Sequence, residues 1–465
     1  MPLFRSARPA LATLATLLLT ACASTPEYQA PQIALPPAFV HAAPTATAPA
    51  IAADWWDAYA DAELDRLLRQ VGQANAELAQ AEARWRQALA LVDAARALDR
   101  PQLGASAAAS RSGASRGSGA TGTGTALATG LTLAWTPDLW GRVAQQRSAA
   151  EAGAQAQAAL LDAVRLALQL SAAQGYVRLR ALDAQLALQA RAETAYTRSL
   201  ELTRAQYQAG LVARADVIQA ETQLQSLRTQ VFSIGRQRAL EANALALLAG
   251  ATPAELRIAA DDRALPAMPA VPTALPAELL RRRPDLAAAE RQLAAAHAQW
   301  GIAQRAWLPD LTLSASGGLQ AGSLARLLDA PARAWSLGPT LAATLFDGGT
   351  RRAAQAQALT VYDAQAAAWR AGVLTAVRET EDALAQLALL SEQEREQQRL
   401  VALASENEQV VGYRYEAGEI SFLEVATAQN LALTARRSLL DVQADRLAAS
   451  MALVAALGGG WQAAR

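Results

Sequence analysis

One passage of this chain is written twice, about 208 residues apart, and any fold it adopts must accommodate both copies. Tyr207, Gly210 and Asp216 in YQAGLVARAD recur as Tyr415, Gly418 and Glu424 in YEAGEISFLE. Pro101 and Leu103 recur as Pro309 and Leu311, and Glu77, Leu78 and Glu82 as Asp285, Leu286 and Glu290. Asp138 and Arg142 in DLWGR find a near match, one residue out of step, in Asp347 and Arg351 of DGGTR. Solenoid units repeat every 20–50 residues or so, far short of this spacing. The pattern reads as a duplication, each half carrying a helix–strand–strand–helix–helix plan.

The N-terminus bears on the compartment. Arg5 and Arg8 precede an apolar run, Ala10 to Leu19, that is too short to span a bilayer as a helix. Residues 1–21 therefore read as a secretory signal peptide. Its end, Leu19-Thr20-Ala21-Cys22, resembles a bacterial lipobox. That resemblance implies that Cys22 becomes the mature first residue and carries diacylglycerol and an N-acyl chain such as palmitate. Several acyl chains anchor stably where one is marginal. Ala23 follows Cys22 in place of the aspartate that often marks inner-membrane retention, which favours the outer membrane. Residues 22–53, rich in Pro, Ala and Thr, read as the lipidated tether.

Composition excludes several classes of function. The 42 basic residues balance 42 acidic ones, and every basic residue is arginine. No basic patch stands out, so nucleic acid is not an expected partner. Two histidines (His41 and His297), three methionines and one cysteine leave almost no ligands for a soft-metal site. No cofactor is expected beyond the covalent lipid on Cys22. After Leu19 no run is apolar enough for a transmembrane helix, so a membrane crossing must be made of strands.

Period locates those strands. From Leu127 to Trp135, Leu127, Thr129, Leu131, Leu133 and Trp135 alternate with Ala128, Gly130, Thr132 and Ala134. Residues 311–317 repeat the alternation, which is the strand signature. Weaker partners at 102–110 and 334–346 complete two pairs, within 101–136 and 309–346, with Trp135 and Trp335 as candidate interface aromatics. Between the first two strands RSGASRGSGATGTG (111–124) reads as a surface loop. Its Gly117, Gly119 and Gly122 form a G-x-G-x-x-G without the strand-to-helix setting that nucleotide binding requires.

The remaining segments are helical: 54–98 (with a break expected near Gly72), 277–307, and two long coiled-coil hairpins at 141–250 and 348–457. Leu161, Val164, Leu168, Ala172, Tyr176, Leu179, Leu182 and Leu186 form one stripe at steps of three and four. Sevenfold spacing at Leu224, Val231 and Leu245, and at Leu433, Leu440, Leu447 and Val454, marks coiled-coil packing. Arg238 and Glu241 suggest a partly wet inner face. The Gly458-Gly459-Gly460 run lacks the Lys-Ser/Thr of a phosphate loop and is expected to stop the last helix.

Four membrane strands cannot stand alone. An open sheet leaves its edge groups unpaired in lipid, at several kcal/mol each, and barrels begin at eight strands. Copies of the chain must close it, as a dimer of eight strands or a trimer of twelve.

Specific residues carry a resemblance over essentially the whole chain: LTAC at Leu19–Cys22, DWWDAYADAELDRLL at Asp54–Leu68, WTPDLWGR at Trp135–Arg142, and LLRRRPDLAAAERQLAAAHAQWGIAQRAWLPDL at Leu279–Leu311. LFDGGTRRA from Leu345, YEAGEISFLEV from Tyr415 and ALGGGW at Ala456–Trp461 add to it. The chain resembles the TolC/OprM-type outer-membrane factors, in their NodT-like lipoprotein branch. The resemblance implies an α+β membrane protein, a trimeric TolC-like channel. Its 12-stranded outer-membrane β-barrel, with four strands per chain, would continue into a periplasmic α-helical barrel.

It also implies a homotrimer acting as the passive exit duct of a tripartite efflux pump. The partners implied are a periplasmic membrane-fusion (adaptor) protein and an inner-membrane pump of RND type. The turns holding Tyr207, Gly210 and Asp216, and Tyr415, Gly418 and Glu424, would then form the adaptor-docking periplasmic tip. Asp216, Arg414, Glu416 and Glu419 would gate it through ion pairs. The family's gate often has an aspartate two residues past the second glycine, where this chain has Ile420. Nothing in the sequence resembles a catalytic triad, so no enzyme activity is expected. The rival readings are a type I secretion duct and a lipid-anchored coiled-coil scaffold without a pore.

Overall fold

The computed structural model describes residues 27–31, 39–41, 54–115, 121–261, 265–269, 282–327 and 333–460. The signal peptide, Cys22, most of the tether, Gly117, Gly119 and residues 277–281 lie outside the described residues. A 3-10 turn, Trp55–Tyr59, is followed by α1 (Ala62–Ala74), α2 (Ala76–Ala97), β1 (Gln102–Ser115) and β2 (Thr121–Trp135). Next come α3 (Arg142–Gln208), α4 (Arg214–Leu248) and α5 (Pro284–Arg305). β3 (Asp310–Ala321), β4 (Arg333–Ala342), α6 (Thr350–Glu416) and α7 (Phe422–Ala456) complete the order.

The duplication is built into these bounds. α3 and α6 each have 67 residues, α4 and α7 each 35, α2 and α5 each 22. Thr350 opens α6 208 positions after Arg142 opens α3, and the same offset separates the starts of the other helix pairs. Without an internal proline, α3 extends about 100 Å at ~1.5 Å per residue. On its expected stripe Leu161, Leu168, Ala172, Tyr176 and Leu179 are buried, and Val164, Leu182 and Leu186 half-buried. Leu224, Leu245, Leu433 and Leu447 of the sevenfold positions are buried as well.

The helix break falls at Asn75, not Gly72, which lies inside α1. Asn75 Oδ1 accepts from the Glu77 and Leu78 amides at 2.8 and 3.0 Å, capping α2. A side-chain acceptor for orphan amides ends one helix and starts another more effectively than a single glycine does.

The four strands pair antiparallel in the order β1-β2-β3-β4. Their register runs from Gln102↔Ala134 to Ser115↔Thr121, from Leu127↔Ala321 to Trp135↔Leu313, and from Asp310↔Ala342 to Leu319↔Arg333. The 111–124 segment read as a loop is mostly strand: Arg111 faces Thr125 and Gly113 faces Thr123. Its small polar residues look loop-like, but the neighbouring strand supplies the backbone partners. β4 stops at Ala342, short of the expected 346, leaving Leu345 and Phe346 95% and 89% exposed. Among the described residues no helix is long and apolar enough to cross a membrane.

The chain divides into two compact units. In the one formed by 84–158 and 288–370 with the N-terminal segment, the strand-to-helix corners are fixed by backbone-directed side chains. Trp140 Nε1 donates to the Pro309 carbonyl at 2.6 Å, and Arg305 Nε donates to the Trp140 carbonyl at 2.8 Å. Asp138 accepts from the Ala144 amide at 2.7 Å, and Asp347 from the Arg351 amide at 3.0 Å. These aspartates cap α3 and α6, which is why the sequence repeats them. The Arg351 guanidinium stacks over Trp307, 4.4 Å from the ring centre. His297 packs among Tyr28, Trp300 and Tyr362, and burial lowers its pKa.

In the other unit, 33–83, 159–287 and 371–465, each returning helix ends on a glycine pressed against backbone. A Cβ on Gly250 would stand 2.0 Å from the Ala74 carbonyl, and one on Gly458 2.4 Å from that of Arg282. Asn75 Nδ2 donates to the Leu248 carbonyl at 2.8 Å, and Arg283 to that of Ala456 at 3.3 Å. Arg283 also pairs with Asp285 at 2.7 Å and Glu379 at 2.8 Å.

Arg238 and Glu241, expected on a partly wet face, are half-buried and pair with α3. Glu241 meets Arg178 at 2.9 Å, and Arg238 meets Asp183, whose side chain is 1% exposed. Asp183 also holds the buried Arg180 at 3.0 Å, while Arg180 reaches Glu63 at 3.3 Å and the Ala259 carbonyl at 2.9 Å. Replacing Asp183 with Ala leaves two arginines without their shared carboxylate. The expected loss is about 3–5 kcal/mol, read as a lower denaturation midpoint of the detergent-solubilised protein.

Candidate functional site at the two glycine turns

α3 and α6 run out at the same local sequence, a tyrosine followed three residues later by glycine. Gly210 and Gly418 have φ of 74° and 77°, the left-handed region that a side chain disfavours. At the first turn the Leu211 amide donates to the Gln206 carbonyl at 2.9 Å, and Gly210 to Tyr207 at 3.0 Å. At the second, Glu419 donates to Arg414 at 2.9 Å, and Gly418 to Tyr415 at 2.9 Å. Both are helix C-caps that satisfy the last carbonyls, and both reverse the chain within a few residues.

One apolar core joins the two turns. Tyr196 and Leu200 of α3 pack with Val217, Ala220, Leu224 and Leu227 of α4, Tyr415 of α6, and Phe422, Val425, Ala426 and Leu433 of α7. Tyr415 is buried, meets Phe422 edge-on at 5.7 Å and shares a 2.9 Å hydrogen bond with the Thr203 hydroxyl. Burial raises its phenol pKa, and the Asp216 carboxylate adds in the same direction. Its repeat partner Tyr207 is 40% exposed. Sequence alone treats the two tyrosines alike, while the structure makes one an anchor and leaves the other at the surface.

The expected gate residues separate in the same way. Arg414 pairs with Glu419 at 3.3 Å across the second turn, with both side chains about half exposed. Such a pair is worth about 0–1 kcal/mol. Asp216 does not join it; its carboxylate accepts from the Ala213 amide at 3.1 Å and caps α4. Glu416 and Glu424 are exposed. Ile420, standing where the related gate often has aspartate, packs against the shared core. Thr203 and Phe422, which the sequence reading passed over, are central; Thr203 is fully buried and also donates to the Ser199 carbonyl at 2.8 Å. Thr203 stands 208 residues before Val411, so a mismatch within the repeat was the available signal.

An antiparallel sheet open at both edges among the described residues, and two long helices that each return through a glycine turn, define the subunit of an outer-membrane channel. The family model described as "Outer membrane efflux protein" matches residues 67–251 and 275–459, the two copies of the repeat. Nodulation protein T of Rhizobium leguminosarum bv. trifolii is 30% identical over 451 residues, covering 96% of both chains. The pyoverdine export outer membrane protein OpmQ of Pseudomonas aeruginosa is 33% identical over 462 residues, covering 97% of this chain and 96% of that one. The solved structure of the outer-membrane channel OprN matches with a TM-score of 0.87 at 29% identity, over 95% of this chain and 100% of that one. The chain belongs to the outer membrane efflux protein family, and it functions as an efflux channel in the outer membrane.

The turn geometry makes a contrast testable. Gly418→Ala places a Cβ at positive φ, with an expected cost of about 1–3 kcal/mol. Gly412→Ala, inside α6 with open space around it, is expected to stabilise by about 0.5–1 kcal/mol. Thermal unfolding of the two variants should move in opposite directions.

Proposed function

We propose that the protein is the passive exit duct of a tripartite efflux pump, conducting drugs or other small toxic compounds from periplasm to exterior. It works as a homotrimer. The observation that carries this reading is the four-stranded sheet in which, among the described residues, the outer edges of β1 and β4 have no partner strand. Three copies supply twelve strands, and closure removes the edge groups that lipid cannot satisfy. Large apolar side chains support association of copies along the helices as well. Phe232 on α4 is 80% exposed in the single subunit, and Leu389, Leu403 and Val410 on α6 are 70%, 59% and 50% exposed. The α6 set stands at intervals of fourteen and seven, with Glu396 at the intervening heptad position, a spacing suited to packing against another helix.

The joined glycine turns are the docking site for the hairpins of a periplasmic adaptor, whose binding opens the channel. Tyr207, Gly210, Asp216, Tyr415, Gly418 and Glu424 place this tip. The Arg414–Glu419 pair is weak enough to exchange partners, and Glu416 is exposed for a neighbouring subunit. Energy comes from an inner-membrane pump, of RND type, and the duct itself performs no chemistry. Cys22 carries the lipid that holds the chain at the outer membrane.

Electron microscopy and native mass of the detergent-purified protein test the assembly. A threefold particle with the mass of three chains is expected, and a stable monomer would remove the barrel. Cys22→Ser should abolish labelling with radioactive palmitate, whereas unchanged labelling would place the acyl chain elsewhere.

A further inference from the structure

The duplication extends to the hydrogen-bond register of the sheet, and this fixes how one subunit meets the next. Gln102 faces Ala134 in the first strand pair and Asp310 faces Ala342 in the second. Each residue stands 208 positions after its counterpart, so β4 repeats β2 and β3 repeats β1 without slippage. One seam in the chain, β2 against β3, joins the two copies of the repeat. In it Thr132 faces Ser316, Ala134 faces Ser314 and Gly130 faces Gly318. The free edge of β4 has the position of β2 in that seam, and the free edge of β1 has the position of β3.

We infer that the seam between subunits repeats the β2–β3 register. Thr340 then faces Ala108 of the partner subunit, Ala342 faces Ser106 of the partner subunit, and Gly338 faces Ser110 of the partner subunit. All ten residues of β4 find partners along β1. This inference rests on the proposed assembly of copies and adds its register.

Two observations outside the strand pairing agree. The β2–β3 seam continues past its last backbone pair, with the Thr136 and Thr312 hydroxyls 3.3 Å apart. Carried over, that contact becomes Thr344 opposite Gly104 of the partner subunit, and one residue further Leu345 stands opposite Leu103 of the partner subunit. These leucines are 95% and 69% exposed in the single subunit, and the inferred seam brings them together. The second observation concerns glycine. A Cβ on Gly130 would stand 3.1 Å from the Gly317 carbonyl, so β3 approaches closely there. Its repeat counterpart Gly338 has nothing within 4 Å in its own subunit. In the inferred register the neighbour's β1 fills that space, with Ser110 of the partner subunit in the place of Gly318. Because a Cβ on Gly318 would stand 2.4 Å from the Thr129 carbonyl, the strands are spaced wider at this point of the seam.

Paired cysteines in the full-length, detergent-purified protein test the register, with the Thr340→Cys single variant as control for Cys22. Thr340→Cys with Ala108→Cys should oxidise to covalent dimers and trimers on a denaturing gel. Thr340→Cys with Ser106→Cys or Ser110→Cys should yield at least about tenfold less product. A slip of two residues puts the partners on the diagonal, ~7–8 Å apart, beyond the ~4.4–6.8 Å Cα span of a disulfide. Leu345→Cys with Leu103→Cys is a second in-register pair, outside β4, should the strand variants fold poorly. An offset pair that cross-links as well as the aligned one overturns the register. So does the absence of cross-linking in a sample whose native mass is that of three chains. A monomeric native mass overturns the assembly itself.

Discussion

The structure depends on one requirement: a backbone amide or carbonyl in hydrocarbon must find a partner within the protein. Helices meet it internally, and among the described residues no helix here is apolar enough to cross. Strands meet it only by closing on themselves, and four of them cannot. The sheet's open edges at β1 and β4 therefore make the single chain an incomplete object. Its channel function follows from completing the sheet with further copies.

Duplication makes that completion simple. Because both halves share helix lengths and strand register, the contact that joins the halves of one chain is the one reused in the inferred seam between chains. The same economy shows at the helix ends, where Gly250 and Gly458 are each pressed on the chain leading into a following helix. The halves have diverged where their surroundings differ. Asn75 and Arg283 reach equivalent carbonyls, at Leu248 and Ala456, but Arg283 also gathers Asp285 and Glu379. Tyr415 is buried against Thr203 and Phe422 while Tyr207 stays at the surface.

Polar groups divide the helical unit by strength. Within the α3–α4 hairpin, arginine–carboxylate pairs recur, as at Arg204–Glu221, Arg228–Glu193 and Arg178–Glu241. Within α6–α7 they recur at Arg446–Glu394 and Arg436–Glu408. Between the hairpins, uncharged side chains meet at Gln429–Ser199, Gln223–Gln429 and Tyr196–Asn430. Each hairpin thus carries its own ion pairs, while the surface between hairpins combines apolar packing with hydrogen bonds. These join a charged group to a neutral one at Gln185–Asp441 and Arg437–Gln230, and neutral groups elsewhere.

Much of this was legible in the sequence because it is local. The absence of proline and the apolar steps of three and four defined α3, and the tyrosine–glycine spacing defined both turns. Alternation at 127–135 and 311–317 found the centres of two strands. What depends on a neighbour remote in sequence was not legible. Residues 111–115 look like loop until β2 pairs with them, and the partner of half-buried Arg238 is not apparent until Asp183 meets it. Asp216 looks like a gate charge until its carboxylate is found on its own helix cap. The sequence alone determined the repeat, its helices and its turns, since spacing along a chain governs them. The tertiary structure decided the strand register, the buried charges and which tyrosine is buried between the paired turns, since those depend on groups brought together only by folding.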